Sequence, residues 1–403
     1  MKIREIQTFL MQAGPPLESG WAAAGKGGMS TAQSRQWLFV KVVTDEGITG
    51  VGECSGWPRV VETAIKDLTP LLLGQDPTHI QRLWNRMKVA MMGHGMTGTV
   101  GYGAMAGIEM ALWDIKGKAL ETPVWNLLGG KVRDRIRAYA HASRPEYARD
   151  LVQRGYTAIK TTGVSGIVDK VGALRDAVGQ SVDLIVDLHG PPWLAAADAV
   201  ATGRELEQFK LLFLEDPVAP EDLRGFRRIR DAVQLPLAAG ERHGGLWGVR
   251  NLLVDGLVDV IQPDTGRSGG IGQMMRMAHL AETFFAFLAP HSGSLGPVAE
   301  YAAVHVLAAI PNTLILERFG DDWEGRQRVV TPMLDIRDGY VIVPDRPGLG
   351  VDIVEGEIVK HPPSGNVSIP GSPTQQAYEA GTFDEHTYFQ ARWRRPSLSG
   401  HID

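Results

Sequence analysis

The stretch KLLFLEDP, residues 210–217, joins a run of large apolar side chains directly to the carboxylate of Glu215. Short apolar runs end at a polar residue in the same way along the middle of the chain, giving the series Lys160, Asp187, Glu215, Glu241, Asp264, His291 and Glu317. Successive members are 27, 28, 26, 23, 27 and 26 residues apart. This spacing is about the length of one strand, one helix and two loops, the repeating unit of a (β/α) barrel of typically ~250 residues.

In such a barrel the C-terminal ends of all strands open on one face, so residues far apart in sequence converge there. Carboxylates, a lysine and a histidine gathered on one rim are typical of a catalytic site rather than of a packed core. The first barrel strand is expected near RIRAYAHAS, residues 135–143, and would bring Tyr139 and His141 to the same rim.

A chain of 403 residues exceeds one barrel by roughly 150 residues, so a second domain is expected. The first ~125 residues contain alternating apolar segments, with a hairpin turn predicted at residues 45–47, followed by helical periodicity. We therefore predict an α+β capping domain over residues 1–130, a barrel over 131–325, and a C-terminal tail over 326–403 that returns to the capping domain. In the tail, GYVIVPDRPGLGVDIVEGEIV (residues 339–359) resembles a hairpin whose two strands flank a Pro/Gly turn.

The composition excludes several classes of protein. Hydrophobic residues make up 44% of the chain and charged residues 22%, as in globular proteins. A net charge of −5 gives no reason to expect binding to nucleic acid or to an anionic membrane. The single cysteine, Cys54, allows no intrachain disulfide and fits a reducing compartment. Because no apolar run approaches ~20 residues and the start lacks a signal-peptide core, we expect a cytoplasmic protein.

Three carboxylates follow three successive predicted strands, at Asp187, Glu215 and Glu241. As neighbours around a barrel they would repel one another and raise each other's pKa unless a cation lay among them. Oxygen ligands without a nearby cysteine favour Mg²⁺. The alternative is that these residues are helix caps, which are common in loops between strands and helices.

The next two strands supply Asp264 and His291, and an aspartate that holds an imidazole makes it a competent general base. On the other side, Lys160 ends the second strand and His189 follows Asp187 by two residues, so His189 is expected to point into the site. Simpler roles stay open for each of them. His291 could be structural, Lys160 could pair with a ligand carboxylate, and His189 could contact the metal or support its ligands.

The ordered motifs resemble the enolase superfamily, mandelate racemase subgroup. They are EGITGVGE (46–53), ALWDIKGKALETPVWNLLGG (111–130), VDLHG (186–190), LEDP (214–217), GER (240–242), QPD (262–264), APHSG (289–293), ILE (315–317) and PGLG (347–350). The resemblance implies an α/β fold, a modified (β/α)7β barrel under an α+β capping domain. It also implies one Mg²⁺ per subunit held by Asp187, Glu215 and Glu241, and removal of the proton α to a carboxylate.

The second barrel strand departs from the pattern of many family members. They carry Lys-x-Lys, whose second lysine is a base, whereas this chain has Lys160 followed by Thr161 and Thr162. A threonine hydroxyl cannot take an α-proton at neutral pH, so racemisation, which needs a base on each face, is disfavoured. The Asp-x-His form of VDLHG is similar to sugar-acid dehydratases, in which the histidine resembles the acid that protonates the departing hydroxyl.

The resemblance thus implies a carbon–oxygen hydro-lyase that converts an aldonate or aldarate to a 2-keto-3-deoxy acid. The predicted catalytic residues are His291, Asp264, His189 and Lys160, and the predicted substrate-binding residues are Glu317, Thr162, Trp21, Lys26, Trp57 and His94. Thr162 could instead be a simple strand residue, and Glu317 an ion pair at the barrel mouth. A sugar-lactone cycloisomerase or epimerase using the same enolate is the alternative enzyme, and a non-catalytic sugar-acid-binding barrel is the alternative outside enzymes. Family members are usually homo-oligomers, so a dimer, tetramer or octamer is expected.

Overall fold

The computed structural model describes residues 1–13, 35–92, 98–188, 193–292, 295–318, 323–363 and 389–390. Four of the residues predicted to form the site lie outside these ranges: Trp21, Lys26, His94 and His189. Within the described residues, no helix has both the length and the apolar character that crossing a bilayer requires.

The N-terminal region forms a three-stranded antiparallel sheet covered by helices. Its strands are β1 (Ile3–Ala13), β2 (Arg35–Thr44) and β3 (Thr49–Cys54), and its helices are α1 (Pro58–Leu68), α2 (Ile80–Met92), α3 (Thr99–Ala119) and α4 (Val124–Leu127). The predicted hairpin at residues 45–47 joins β2 to β3, which pair in antiparallel register. Helix α3 packs directly against β3 because small residues face each other: a Cβ on Gly52 would lie 1.9 Å from the carbonyl oxygen of Gly107. We call residues 1–127 the cap.

Eight parallel strands form the barrel that the 23- to 28-residue spacing predicts. They are β4 (Arg135–His141), β5 (Ala158–Thr162), β6 (Asp183–Asp187), β8 (Phe213–Glu215), β9 (Leu237–Ala239), β10 (Val260–Ile261), β11 (Phe287–Leu288) and β12 (Leu316–Glu317); the short β7 (Trp193–Leu194) lies outside this ring. The ring closes because β12 pairs with β4, and Leu288 of β11 bridges to Thr313 just before β12.

Seven helices connect these strands, so the barrel is a (β/α)7β unit. They are α5 (Pro145–Gln153), α6 (Ile167–Val178), α7 (Ala196–Leu206), α8 (Leu223–Ala232), α9 (Gly245–Val254), α10 (Ile271–Thr283) and α11 (Pro297–Ala309). Proline begins α5 and α11, where its missing N–H costs no helical hydrogen bond. The Asp222 carboxylate caps α8 by accepting from the Gly225 amide at 2.8 Å.

The barrel lumen is filled by one buried residue on or directly beside each strand: Tyr139, Ala158, Ile185, Phe213, Ala238, Val260, Ala289 and Ile315. Two aromatic rings, three branched aliphatic side chains and three alanines together fill this layer, as the packing of a closed barrel requires. Side chains two apart on a strand face the same way. The next inward-facing position on each strand therefore lies directly above this apolar layer, at the C-terminal mouth.

The cap docks onto the barrel through two buried carboxylates. Glu109 of α3 accepts hydrogen bonds from the amides of Ile271 and Gly272, both at 2.8 Å, at the start of α10. Glu53 of β3 accepts from the amides that begin α11, including Val298 at 3.0 Å. Each carboxylate satisfies amides that have no partner within their own helix and meets the positive end of that helix dipole.

The tail does not pair as predicted. Its elements are β13 (Val330–Thr331), β14 (Ile336–Arg337), β15 (Tyr340–Ile342), β16 (Asp352–Ile353), α12 (Glu355–Ile358) and β17 (Phe389–Gln390). The hairpin is formed by β14 and β15, and β15 also pairs with β4, while β16 pairs with β13. The prediction that the two halves of residues 339–359 pair with each other is therefore wrong, because each half finds a strand elsewhere.

Candidate active site

Five of the seven polar residues of the predicted series lie one layer above the lumen, and Glu241 and Asp264 come one and two residues after that layer on their own segments. The positions two residues beyond the lumen side chains are His141, Lys160, Asp187, Glu215, Gly240, Gln262, His291 and Glu317. The structure thus brings Lys160, Asp187, Glu215, His291 and Glu317 to one mouth, where all five are almost fully buried. These side chains form a ring because, on each of the eight strands, the residue two positions beyond the lumen residue faces the same way as that residue.

Lys160 lies at the centre of a cluster of carboxylates. Its ammonium is 2.7 Å from Glu215 Oε1, 3.1 Å from Asp187 Oδ2 and 3.2 Å from Glu317 Oε1. Although burial alone would lower the pKa of Lys160, the three carboxylates raise it well above its ordinary value. Lys160 is therefore a fixed positive charge and not a proton acceptor.

The carboxylates around Lys160 differ in their affinity for protons. Burial, and then the neighbouring Asp187 on the adjacent strand, raise the pKa of Glu215 well above its usual range. For Glu317, burial would raise the pKa, but Lys160, followed by His291, lowers it well below its usual range. One ammonium among three buried carboxylates leaves this part of the site short of positive charge.

Glu241 is held from the opposite side by two arginines that the sequence analysis did not predict. Arg242 lies 2.9 Å from Glu241 Oε2 and also pairs with Asp216. Arg267 lies 3.0 Å from Glu241 Oε1 and 3.5 Å from Asp264 Oδ2. Both arginines belong to loops directly after barrel strands, so the motif GER and the segment DTGR contained the only signal for them.

Asp264 and His291 form the predicted dyad. Asp264 Oδ2 lies 2.9 Å from His291 Nδ1, and the two residues form a parallel β-bridge. Because Nδ1 faces a carboxylate, Nδ1 carries the proton and Nε2 is the acceptor nitrogen. That nitrogen points toward the carboxylate cluster, 3.5 Å from Glu241 Oε1 and 3.9 Å from Glu317 Oε2.

The dyad has a well-defined electrostatic setting. Burial alone would lower the pKa of His291. The nearby carboxylates of Glu241 and Glu317, and then the hydrogen bond to Asp264, outweigh burial and raise that pKa above its ordinary value. The cap also reaches the dyad, since Ser55 Oγ lies 3.5 Å from Asp264 Oδ2. An imidazole with raised proton affinity, held in one tautomer, is suited to accept a proton.

The donor set fits a hard divalent cation. Asp187 and Glu215 are paired in register on adjacent strands, and Glu241 follows the next strand. The side-chain oxygen Oε1 of Gln262 is buried without a hydrogen-bond donor among the described residues, although its Nε2 donates to Glu215 at 2.9 Å. In the described part of the chain, no three acid, histidine or cysteine side chains converge closely enough to hold an ion as they stand. In the structure Lys160 contacts Asp187 and Glu215, while Arg242 and Arg267 contact Glu241.

Thr162 and Trp57 are the remaining predicted site residues that lie within the described part of the chain. Thr162 is half-buried on β5, in register with Asp187, and its carbonyl accepts from Lys170 Nζ at 3.0 Å. Trp57 precedes α1 in the cap, and 53% of its surface is exposed. The site also contains His141, which the sequence analysis placed at the rim without a role: its Nε2 lies 2.7 Å from Glu317 Oε1.

Two protein-family models match the chain. Residues 144–357 match the model described as "Enolase C-terminal domain-like". Residues 18–129 match the model described as "Mandelate racemase / muconate lactonizing enzyme, N-terminal domain". Together these matches cover most of the cap and most of the barrel.

Curated relatives and solved structures are similar over most of the chain. D-galactonate dehydratase from Xanthomonas oryzae pv. oryzae (strain PXO99A) is 37% identical over 79% of this chain and 89% of its own. D-galactonate dehydratase from Ralstonia pickettii (strain 12J) is 36% identical over 81% of this chain and 91% of its own. A mandelate racemase/muconate lactonizing enzyme-like protein from Roseovarius sp. TM1035 superposes with a TM-score of 0.81 at 32% identity, covering 92% of this chain and 98% of that one. The 3,6-anhydro-D-galactonate cycloisomerase from Zobellia galactanivorans superposes with a TM-score of 0.79 at 29% identity, covering 90% and 99%.

Proposed function

The chain belongs to the mandelate racemase/muconate lactonizing enzyme family of the enolase superfamily, and on that premise we propose that it is an Mg²⁺-dependent acid-sugar dehydratase. It would remove the C2 proton of an aldonate or aldarate and expel the 3-hydroxyl as water. The names of its curated relatives support the hydro-lyase class. The observation that carries the proposal is the buried His291–Asp264 pair, 2.9 Å apart, whose acceptor nitrogen faces the carboxylate cluster.

His291 is the base in this proposal. Its Nε2 lone pair takes the proton from C2, and the electrons of the C–H bond move toward C1 to give an enediolate. Asp264 keeps Nδ1 protonated and stabilises the imidazolium that forms, without taking the proton itself. Burial of both side chains keeps bulk water away from the transferred proton.

Asp187, Glu215 and Glu241 are the residues that would hold Mg²⁺. When bound, the ion supplies positive charge for the enediolate oxygens. Two observations support this assignment: Lys160 alone leaves the cluster short of positive charge, and Gln262 offers a buried oxygen without a donor. Lys160 would remain close by as a fixed positive charge that helps to hold the carboxylate of the substrate.

Elimination needs an acid on the far side of C2 and C3. We assign this role to His189, because its position two residues after Asp187 predicts that it faces the site. As the C3–O bond breaks, the hydroxyl takes a proton from His189 and leaves as water. The enol that remains takes a proton at C3 and gives up the proton of its C2 hydroxyl, and so becomes a 2-keto-3-deoxy acid. Atoms balance, since the substrate loses one water and nothing is oxidised.

The remaining predicted substrate contacts belong to this proposal as well. Glu317, on the eighth barrel strand, and Thr162, on the second, are proposed to bind the substrate. Trp21, Lys26, Trp57 and His94, from the segments that precede the barrel, are the remaining proposed substrate contacts.

A second candidate is cycloisomerisation of an acid sugar by the same base and enolate. The observation that favours it is the similarity to the solved 3,6-anhydro-D-galactonate cycloisomerase. The two reactions differ in their products, since only dehydration yields a 2-keto-3-deoxy acid from an open-chain acid.

The test is a screen of aldonates and aldarates with the purified full-length chain and Mg²⁺, with keto acids detected as semicarbazones. We expect at least one aldonate or aldarate to yield a 2-keto-3-deoxy acid. Excess chelator should abolish turnover, and Mg²⁺ should restore it better than Ca²⁺, whose coordination is larger and looser. A product that is isomeric with its substrate, formed without loss of water, would establish an isomerase instead, and turnover in excess chelator would exclude metal assistance.

Two histidine variants test the proposed division of roles. His291→Asn should lose both elimination and exchange of the C2 proton with deuterium in D₂O. His189→Asn should lose elimination while C2 exchange continues, because forming the enediolate requires only the base and the metal. If His291→Asn keeps C2 exchange, the base lies elsewhere.

A further inference from the structure

Arg267 connects two groups that have separate roles in the reaction proposed above. Its Nη1 lies 3.0 Å from Oε1 of Glu241, one of the carboxylates assigned to Mg²⁺, and its Nη2 lies 3.5 Å from Oδ2 of Asp264. The same Oδ2 accepts from Nδ1 of His291, the assigned base, at 2.9 Å. Because the guanidinium is planar and its donors are fixed relative to one another, Arg267 holds the two carboxylates in a defined geometry.

The orientation of the Asp264 carboxylate depends on the groups around one of its two oxygens. Asp264 has no exposed surface, and its Oδ1 is buried without a hydrogen-bond donor among the described residues. Its Oδ2 lies 2.9 Å from His291 Nδ1, 3.5 Å from Ser55 Oγ and 3.5 Å from Arg267 Nη2. A buried carboxylate requires cations or donors to compensate its charge. Of the groups around Oδ2, Arg267 is the one that carries a permanent positive charge.

The loop after β10 brings Arg267 back to Asp264. The carbonyl of Asp264 accepts from the amides of Arg267 at 3.1 Å and Ser268 at 2.8 Å, which closes a tight turn. The cap supports this turn, since the amide of Ser55, directly after β3, donates to the Gly266 carbonyl at 2.8 Å. The approach is close, because a Cβ on Gly266 would lie 3.1 Å from Cβ of Ser55. Backbone contacts from the barrel and from the cap therefore fix the position of Arg267.

Arg242 offers a comparison within the same site, because it contacts the same metal ligand from another loop. Within the described residues it pairs with Glu241 Oε2 at 2.9 Å and with Asp216. Neither contact reaches the dyad. Both arginines thus present a positive charge to Glu241, and Arg267 is the one of the two that extends this charge to the dyad.

A guanidinium in the place of Arg267 affects the ion and the dyad in opposite directions. Beside Glu241 it compensates the carboxylate in the ion-free protein and repels a divalent cation, so its removal should favour binding of Mg²⁺. Beside Asp264 it helps to direct the carboxylate toward His291, so its removal should slow transfer of the C2 proton.

We propose that Arg267 is a positioning residue that keeps Asp264 aligned with His291 while it weakens the affinity of Glu241 for Mg²⁺. Arg242 has only the second of these effects. This inference rests on the proposed function, since it takes His291 as the base and Glu241 as a metal ligand. A residue needed only for folding would weaken both ion binding and proton transfer when it is replaced. Opposite signs of the two changes therefore distinguish positioning from support of the fold.

Binding of Mg²⁺ is measured by calorimetry on the chelator-treated full-length protein without substrate. We expect Arg267→Met and Arg242→Met each to bind Mg²⁺ at least about threefold more tightly than wild type, because one repelling charge is removed. Arg267→Lys keeps the charge and should bind Mg²⁺ with nearly wild-type affinity. Arg250→Met, a change of an exposed residue on α9, is the control and should have no effect.

Exchange of the C2 proton in D₂O is then followed by NMR, with the acid sugar that yields a keto acid in the screen described above. Saturating Mg²⁺ removes differences in ion affinity. Arg267→Met should exchange at least about tenfold more slowly than wild type with little change in KM, as expected for the loss of one charged contact. Arg267→Lys should recover most of this rate. Arg242→Met should lose less than about threefold, and Arg250→Met should match wild type.

Unchanged exchange in Arg267→Met would overturn the proposal, and so would weaker Mg²⁺ binding together with slower exchange. An equal loss of exchange in Arg242→Met would assign the effect to Glu241 and overturn it as well. If the thermal melt shows that Arg267→Met does not fold, Arg267→Gln takes its place with the same expected results. If wild type exchanges the C2 proton of no acid sugar, the proposed function fails and this inference fails with it.

Discussion

The ammonium of Lys160 lies 2.7 Å from the carboxylate of Glu215, in a pocket where both side chains are almost completely buried. The same ammonium also lies 3.1 Å from a carboxylate oxygen of Asp187 and 3.2 Å from one of Glu317. Removing one partner from a buried ionic cluster is strongly destabilising because it leaves unpaired charge in a medium that solvates it poorly. Lys160 therefore contributes to folding as well as to the electrostatics of the site.

Lys160→Met should destabilise the protein by about 3–5 kcal/mol in excess chelator. Mg²⁺ should restore part of this loss, because a cation among Asp187, Glu215 and Glu241 stabilises only the folded state. Denaturant unfolding with and without Mg²⁺ measures both effects. Lys170→Met is the control, since within the described residues Lys170 hydrogen-bonds only the neutral Thr162 carbonyl, and the change should cost about 1 kcal/mol. Equal stability of Lys160→Met and wild type in chelator would contradict the assignment.

Asp264→Asn should weaken the base without removing it. An amide can still contact His291 Nδ1, but it neither fixes the tautomer nor compensates the imidazolium. We expect kcat and the rate of C2 proton exchange to fall together, by about 10²- to 10⁴-fold, with little change in KM. Steady-state kinetics and exchange followed by NMR measure this, with the exposed Asp231→Asn on α8 as control. A raised KM with unchanged exchange would instead make Asp264 a binding residue.

Thr162→Ala should have a small effect. Thr162 occupies the position of the second lysine in Lys-x-Lys relatives, but its hydroxyl cannot act as a base. We expect kcat/KM to change by at most about tenfold, the size of one lost neutral hydrogen bond. C2 exchange should continue at nearly the wild-type rate. Loss of exchange in Thr162→Ala together with its survival in His291→Asn would place the base on the second strand.

Glu109 should make the stability of the protein depend on pH. Burial raises its pKa to about 7 from an ordinary value of 4.5, although hydrogen bonds from Gly272, Trp113 and Ile271 oppose the shift. The folded state therefore binds this proton more tightly than the unfolded state. Between pH 4.5 and 7 the contribution of Glu109 to the free energy of unfolding should fall as pH rises, by roughly 3 kcal/mol in total.

Glu109→Gln should flatten that slope, because an amide does not titrate in this range. Its stability at pH 4.5 should also be lower, since one docking amide of α10 then faces an NH₂ group and not an acceptor. Urea unfolding at pH 4.5, 5.5, 6.5 and 7.5 measures the slope. The control is Glu282→Gln, a change of an exposed residue on α10, which should keep the wild-type slope of stability against pH. An unchanged slope in Glu109→Gln would assign the pH dependence to other groups.

Much of the architecture could be predicted from sequence because the chain contains two regular spacings, one between successive strands and one within each strand. The 23- to 28-residue spacing predicted the strands and helices, and the family and the barrel fold are confirmed. The period of two within each strand then determines which residues face the lumen. Asp187 and Glu215 each lie two residues beyond a lumen residue, Ile185 and Phe213, and therefore face the same side of their strands. Their position at the barrel mouth could thus be predicted without knowing any contact between strands.

What the sequence could not predict is the choice of partners. A period determines which face a side chain occupies, but long side chains choose among several neighbours once the barrel closes. The pairing of His141 with Glu317 joins the first strand to the last, a contact that exists only in the closed ring. Arg242 and Arg267 extend from loops, where no period applies. The tail strands pair with segments that the local pattern does not identify, so the predicted hairpin was wrong.

The docking of Glu53 and Glu109 constrains how this enzyme can diversify. Both carboxylates accept hydrogen bonds from the first amides of the helices that follow Asp264 and His291. The cap therefore helps to hold the two helices that are next to this pair. A cap transplanted from a relative could bring new loops for a new sugar, yet it would fail unless it also brought carboxylates at these two points. A change of cap and a change of barrel are therefore coupled through these two contacts.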